Sequence, residues 1–161
     1  MSDLLNSDDE NRVFSVNAME ETLSSVLQEQ AFMFAEYEDA LDIAATPTPP
    51  YQYARIEFDG PCSGRLGLVF PHSLLSELIG NMLGLEIDEI EQEDVPDALM
   101  ELLNVVCGKF LVASFGSAVK FNLAIPTVSQ MDAADWKTQK RKPNTTVLLV
   151  EGEPVLFELS L

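Results

Sequence analysis

Asp97, Glu101 and Asn104 are spaced i, i+4 and i+7 in a stretch that is otherwise almost wholly apolar, and Gly108 continues the series at i+11. At about 3.6 residues per turn these positions share one face of a helix. A carboxylate and a carboxamide one turn apart combine a charge anchor with a neutral orienting group. Glu101 can pair with a cation, while Asn104 can donate to one oxygen and accept from a water at once. Gly108 lowers helix propensity, and a position without a side chain lets another surface come close. Lys109, beside it, can reach the last-turn carbonyls or a partner. The wet side of any amphipathic helix shows a polar stripe of this kind, so spacing alone leaves both readings open.

The elements that position this seam follow from hydrophobic period and punctuation. Residues 1–14 read as an acidic, flexible tail and residues 15–161 as a single domain. From Val16, Met19, Leu23, Val26, Leu27, Ala31 and Phe34 recur at helical spacing, and the proline-rich segment Thr46–Pro50 stops this helix near Ala45. Ala54, Ile56 and Phe58, then Leu66, Leu68 and Phe70, alternate with other residues on either side of Asp59-Gly60-Pro61, which predicts an antiparallel hairpin. Pro71 opens a short helix that Gly84 ends. The seam helix runs from Val95 or Pro96 to about Phe115, with Asp94 as its N-cap. A strand over Val119–Ile125 is closed by Pro126, a polar loop spans Gln130–Asn144, and a last hairpin joins Thr146–Val150 to Val155–Leu161. The fold class is therefore α+β: a mostly antiparallel sheet with two long helices and a short helix packed on one face.

Composition narrows the function. The 161 residues carry a net charge of −18, which repels nucleic acid and anionic membrane surfaces and favours partners with basic patches. Six of the nine residues from Glu86 to Asp94 are acidic and read as a solvated loop. The basic cluster Lys137, Lys140, Arg141 and Lys142 reads as an exposed loop. The start of the chain lacks a secretory pattern, and no apolar run is read as long enough to cross a bilayer, so a soluble, cytoplasmic protein is expected. Cys62 and Cys107 are expected to be buried, reduced thiols, and a chain whose one histidine is His72 offers no zinc cluster. No phosphate loop and no nucleophile paired with a base is visible.

Asp97-xxx-Glu101-xx-Asn104, with Gly108 four residues on and Pro126 after the next strand, resembles the signature of the CheX/CheC/FliY phosphatases of chemotaxis, and most closely CheX. The hairpin from Phe58 to Pro71, leading into a short helix, is also similar to that family. The likeness covers residues 15 to 126 and extends to the last hairpin. It implies a CheC-like fold and hydrolysis of the aspartyl phosphate of a CheY-like response regulator. In that family the glutamate pairs with a lysine of the regulator and the asparagine positions the attacking water. Carried over, Glu101 is the anchor, Asn104 orients the water, and Asp97 and Gly108 support the motif. The chain would need no cofactor of its own, because Mg2+ belongs to the regulator. The alternative is a non-catalytic module of the same fold that binds a response regulator or flagellar switch.

Two departures from the family stand out. The gap from Asn104 to Pro126 is one residue shorter than usual. The place where some members repeat the motif reads Asn17-xxx-Glu21-xx-Ser24, with serine for asparagine, which implies one working site. CheX-like proteins can pair through their sheets, and the apolar strand Val155–Leu161 is either an edge for a homodimer or covered within the monomer.

Overall fold

The computed structural model of the chain describes residues 14–36 and 47–161. The expected tail, apart from Phe14, lies outside the described residues. Phe14 is 1% exposed and stacks on Phe110 at 5.3 Å, so a residue assigned to the tail belongs to the core.

Ser15 starts helix α1 (Val16–Ala31) by accepting from the Ala18 amide at 3.1 Å. The buried positions Met19, Leu23, Val26, Leu27 and Ala31 follow the expected period. The helix ends fourteen residues earlier than the expected stop at Ala45. Phe32 turns left-handed (φ 53°), and the Met33 amide closes back on the Leu27 carbonyl at 3.1 Å, which satisfies the last turn without a glycine. Phe34, read as helical, is instead an exposed residue leading into strand β1 (Ala35–Glu36). The remainder of the expected helix, residues 37–45, lies outside the described residues.

The hairpin of β2 (Tyr51–Asp59) and β3 (Gly64–Pro71) is formed as expected, and so is the hairpin of β6 (Thr145–Val150) and β7 (Glu153–Ser160). Glu151 and Gly152 turn the second one at φ 49° and 81°. Among the described residues all pairings are antiparallel, in the order β1-β6-β7-β3-β2-β4, where β4 is Asn122–Leu123, with β5 (Thr127–Met131) also on β2. The C-terminal strand is consequently interior, between β6 and β3, and not the edge considered for dimerisation. The strand expected over Val119–Ile125 shrinks to β4 (Asn122–Leu123), and pairing resumes after Pro126 as β5, where a loop was expected to begin at Gln130. Pro126 has no amide to offer the ladder, so β2 is flanked by two short pieces. Ile125 is 82% exposed there, against the expectation of a buried face.

Helix α2 (Leu75–Leu83) follows a 3-10 turn (His72–Leu74) and ends at Gly84 with φ 68°. The acidic run is exposed but not featureless: Ile87–Glu89 forms a 3-10 turn closed by reciprocal Glu86 and Glu89 caps. Helix α3 (Asp94–Phe115) carries the seam. Asp94, expected as its N-cap, is its first helical residue and accepts from the Glu91 amide at 2.8 Å. By length and a mean hydropathy of 1.6, α3 would suffice to cross a bilayer, against the expectation. Here its apolar face lies in the main core with α1, α2 and one side of the sheet.

The expected basic loop is helix α4 (Ala133–Lys140). Asp132 caps it by accepting from the Asp135 amide at 2.8 Å. Trp136 is fully buried against Tyr51 and joins Val69, Val147 and Leu156. These strand residues alternate with the ones that face α1–α3, so α4 covers part of the opposite sheet face. Trp136→Ala should cost ~3–5 kcal/mol by removing the centre of this second cluster. Urea unfolding would measure it, and a loss below about 1 kcal/mol would mean α4 is not part of the cooperative core.

Candidate functional site

Eight residues of α3 are buried, from Ala98 and Leu99 to Phe110 and Leu111. The stripe they leave outside holds the expected seam. Asp97, Glu101 and Asn104 are all exposed, and Gly108 is half-buried beside them. Glu101 and Asn104 stand one turn apart on the same face, as the spacing predicts. Neither these two side chains nor Asp97 makes a hydrogen bond or ion pair with a described residue. The structure thus presents a carboxylate and a carboxamide together and leaves their bonding capacity to solvent or a partner.

The exposed line continues past Gly108. Val112 is 50% exposed and falls four residues beyond Gly108, so the seam ends in an apolar contact point. Its signal was the same helical spacing, continued onto a residue type expected inside.

Lys109 is exposed and reaches across to α1, not to the last-turn carbonyls. Its Nζ lies 2.7 Å from Glu29 Oε2 on α1, and Glu29 also accepts from Ser25 Oγ at 3.3 Å. The lysine's hydrogen bond and charge hold the Glu29 carboxyl below its usual range. With this cation engaged, Asp97 and Glu101 give the seam a negative field, suited to a basic group on a partner. On α1, Asn17 and Glu21 are exposed, but Ser24 is half-buried and supplies only a hydroxyl where the seam has a carboxamide.

No described residue requires glycine at 108, since an added Cβ would meet none of their atoms within 4 Å. Gly108→Ala should therefore stabilise the fold by ~0.5–1 kcal/mol, read as a higher urea midpoint. If the glycine serves close approach of a partner, the same variant binds that partner more weakly. Greater stability with unchanged binding would remove Gly108 from the docking surface.

Cys107 is fully buried and its thiol is pushed up to about 12 by desolvation. Cys62, expected to be buried, is only half-buried, and its thiol is raised for the same reason. Both are free, and neither is a thiolate near neutral pH. Among the described residues no group of three or more His, Cys, Asp or Glu is arranged to hold a metal ion.

A family profile described as chemotaxis phosphatase CheX matches residues 52–149, which contain α3 and the whole seam. No functionally curated protein matches the chain in sequence. Among solved structures, chemotaxis protein CheX from Vibrio vulnificus superposes with TM-score 0.67 at 19% identity, over 97% of this chain and 99% of its own. CheX from Desulfovibrio desulfuricans gives 0.62 at 17% identity, over 91% and 97%. CheX from Borrelia burgdorferi, solved in complex with CheY, BeF3 and Mg2+, gives 0.58 at 13% identity, over 92% and 98%. At these identities the superpositions establish the fold.

Proposed function

The chain belongs to the chemotaxis phosphatase CheX family, and from that premise we propose that it hydrolyses the aspartyl phosphate of a CheY-like response regulator in the cytoplasm. The observation that carries this reading is the pairing of Glu101 and Asn104, exposed, one turn apart and without partners among the described residues. The Borrelia burgdorferi relative, solved with CheY, supports a receiver domain as the partner.

An aspartyl phosphate is an acyl phosphate and already reactive, so no covalent intermediate on this chain is needed. What remains is to hold a water in line with phosphorus and to exclude alternatives. Asn104 suits that role, because its carbonyl can accept from the water while its NH2 donates to a phosphoryl oxygen. Glu101 anchors the regulator by pairing with a lysine beside the phosphorylation site. Asp97 strengthens the negative field at the start of the seam, and Gly108 keeps the backbone of α3 accessible. Magnesium is assigned to the regulator, and this chain supplies the carboxylates, the carboxamide and the bare backbone at Gly108.

A non-catalytic binding module would dock in the same way and would have no use for Asn104. The test is phosphate release from acyl-phosphorylated receiver domains of the same cell. Faster release with this protein than without it supports the phosphatase. Binding to a phosphorylated receiver without faster release contradicts it and leaves the binding module.

A further inference from the structure

We propose that the outer face of the sheet carries a second site, for a small ligand bearing a phosphate or carboxylate group, gripped between the guanidinium groups of Arg55 and Arg65. It lies across the sheet from α3 and takes no part in the seam.

The pairing register builds its floor. Arg55 sits opposite Gly67 on β3, and Arg65 sits opposite Glu57 on β2. The two arginines are diagonal neighbours on one face, where side chains ~7–8 Å apart at the backbone can converge on one group. Gly67 is a glycine for a visible reason: a Cβ there would lie 2.5 Å from Glu158 Oε1 and 2.9 Å from the Tyr53 ring. The space above Gly67 is thus filled by Glu158, only 3% exposed, whose carboxylate accepts from the Tyr53 hydroxyl.

That carboxylate is engaged with tyrosine and not with the arginines. Neither guanidinium makes an ion pair with a described residue, although the chain holds 27 acidic residues and Glu57 stands directly opposite Arg65. Arg55 lies over the Tyr53 ring at 5.0 Å. The Nε of each arginine is buried and has no hydrogen-bond partner among the described residues. A buried, unsatisfied donor on a charged group is costly. An oxyanion in the cleft would meet the terminal NH2 groups of both guanidiniums by charge-assisted bonds of the kind arginine forms with phosphate and carboxylate, offsetting the cost of holding two such cations partly buried and unpaired.

Between this floor and α4 opens a cleft of ≈ 360 Å³, lined by Arg55, Arg65, Lys142, Ser129 and Thr138, with Asp135 its one acidic side chain. An adjoining cleft of ≈ 300 Å³ shares both arginines and contains Glu57. Six of the chain's nine basic residues collect here and on α4 with its C-terminal end: Arg55, Arg65, Lys137, Lys140, Arg141 and Lys142. In a chain of net charge −18 this is a local reversal of sign. The size of the cleft fits a small molecule. Glu158 beneath and Glu57 beside the arginines favour a single oxyanion group over an extended polyanion.

The test titrates inorganic phosphate, adenosine 5′-monophosphate and citrate into the whole chain, at constant ionic strength with chloride as control. Calorimetry and amide NMR shifts are the readouts. The site predicts saturable binding of at least one probe, with shifts at residues 55, 65, 129 and 138. Affinity should fall at least about tenfold in Arg55→Gln and in Arg65→Gln, as expected when a charge-assisted contact is lost. A preference for the two phosphates or for citrate identifies the group. Arg65→Lys, which keeps the charge and is the gentler change, should still bind more weakly than the native chain because the planar fork is gone. Any of three results overturns the proposal: no saturable response beyond chloride, affinity unchanged in these variants, or saturable binding without shifts at 55 and 65.

Discussion

Replacing Asn104 with alanine should slow dephosphorylation of the bound regulator by about 100-fold, the scale seen when one preorganised group at a reacting centre is removed. Asn104 is exposed at the middle of the seam and makes no hydrogen bond with a described residue that the variant could break. Alanine is also the better helix former, so α3 should remain intact. The loss should fall on kcat and on kcat/KM together, because the amide's work is done on the attacking water and hardly on docking. Affinity for the regulator should stay within about twofold, measured by titration under conditions where phosphate is not released. A variant with normal kcat and a raised KM would reassign Asn104 to docking.

Replacing Glu101 with alanine should act through binding first. As an exposed carboxylate in the free chain, Glu101 contributes little to stability, and its removal should leave the urea midpoint nearly unchanged. Once a partner covers the seam, the same charge is desolvated against a lysine, and truncating one side of such a pair costs ~2 kcal/mol or more. That corresponds to at least about a 30-fold loss in kcat/KM, carried mainly by KM. The native protein should lose affinity as salt is raised, and the variant should lose less, since one attractive charge is already gone. Unchanged KM and an unchanged salt slope would show that Glu101 does not hold the partner.

The seam could be read from the sequence because it depends on period and residue type alone. Asp97, Glu101 and Asn104 needed only a continuous α3 to share a face, and the apolar residues between them guaranteed one. The fold class and both hairpins were legible for a similar reason: alternation and turn residues agree at Asp59-Gly60 and at Glu151-Gly152. The end of α1 was not legible. A phenylalanine at 32 takes the left-handed position usually given to glycine, so no local residue announces the stop. Helix α4 was hidden because Trp136 is a lone large apolar residue in a polar, basic segment, although Asp132 supplied a cap signal. Missing α4 also hid the outer-face cleft. Arg55 and Arg65 looked like the solvent half of an alternating strand until Trp136 anchored a helix beside them. Interruption of the β2 edge at Pro126 is consistent with proline chemistry, but resumption of pairing at Thr127 depends on β2 being there to receive it.

The central claim is that Asn104 aims the water while Glu101 holds the partner. It is tested most directly by single-turnover phosphate release from an acyl-phosphorylated receiver domain already saturated with this protein. The native chain should accelerate release over the receiver's own decay, and Asn104→Ala, fully bound, should return it nearly to that decay. Equal rates for the two saturated complexes would contradict the claim.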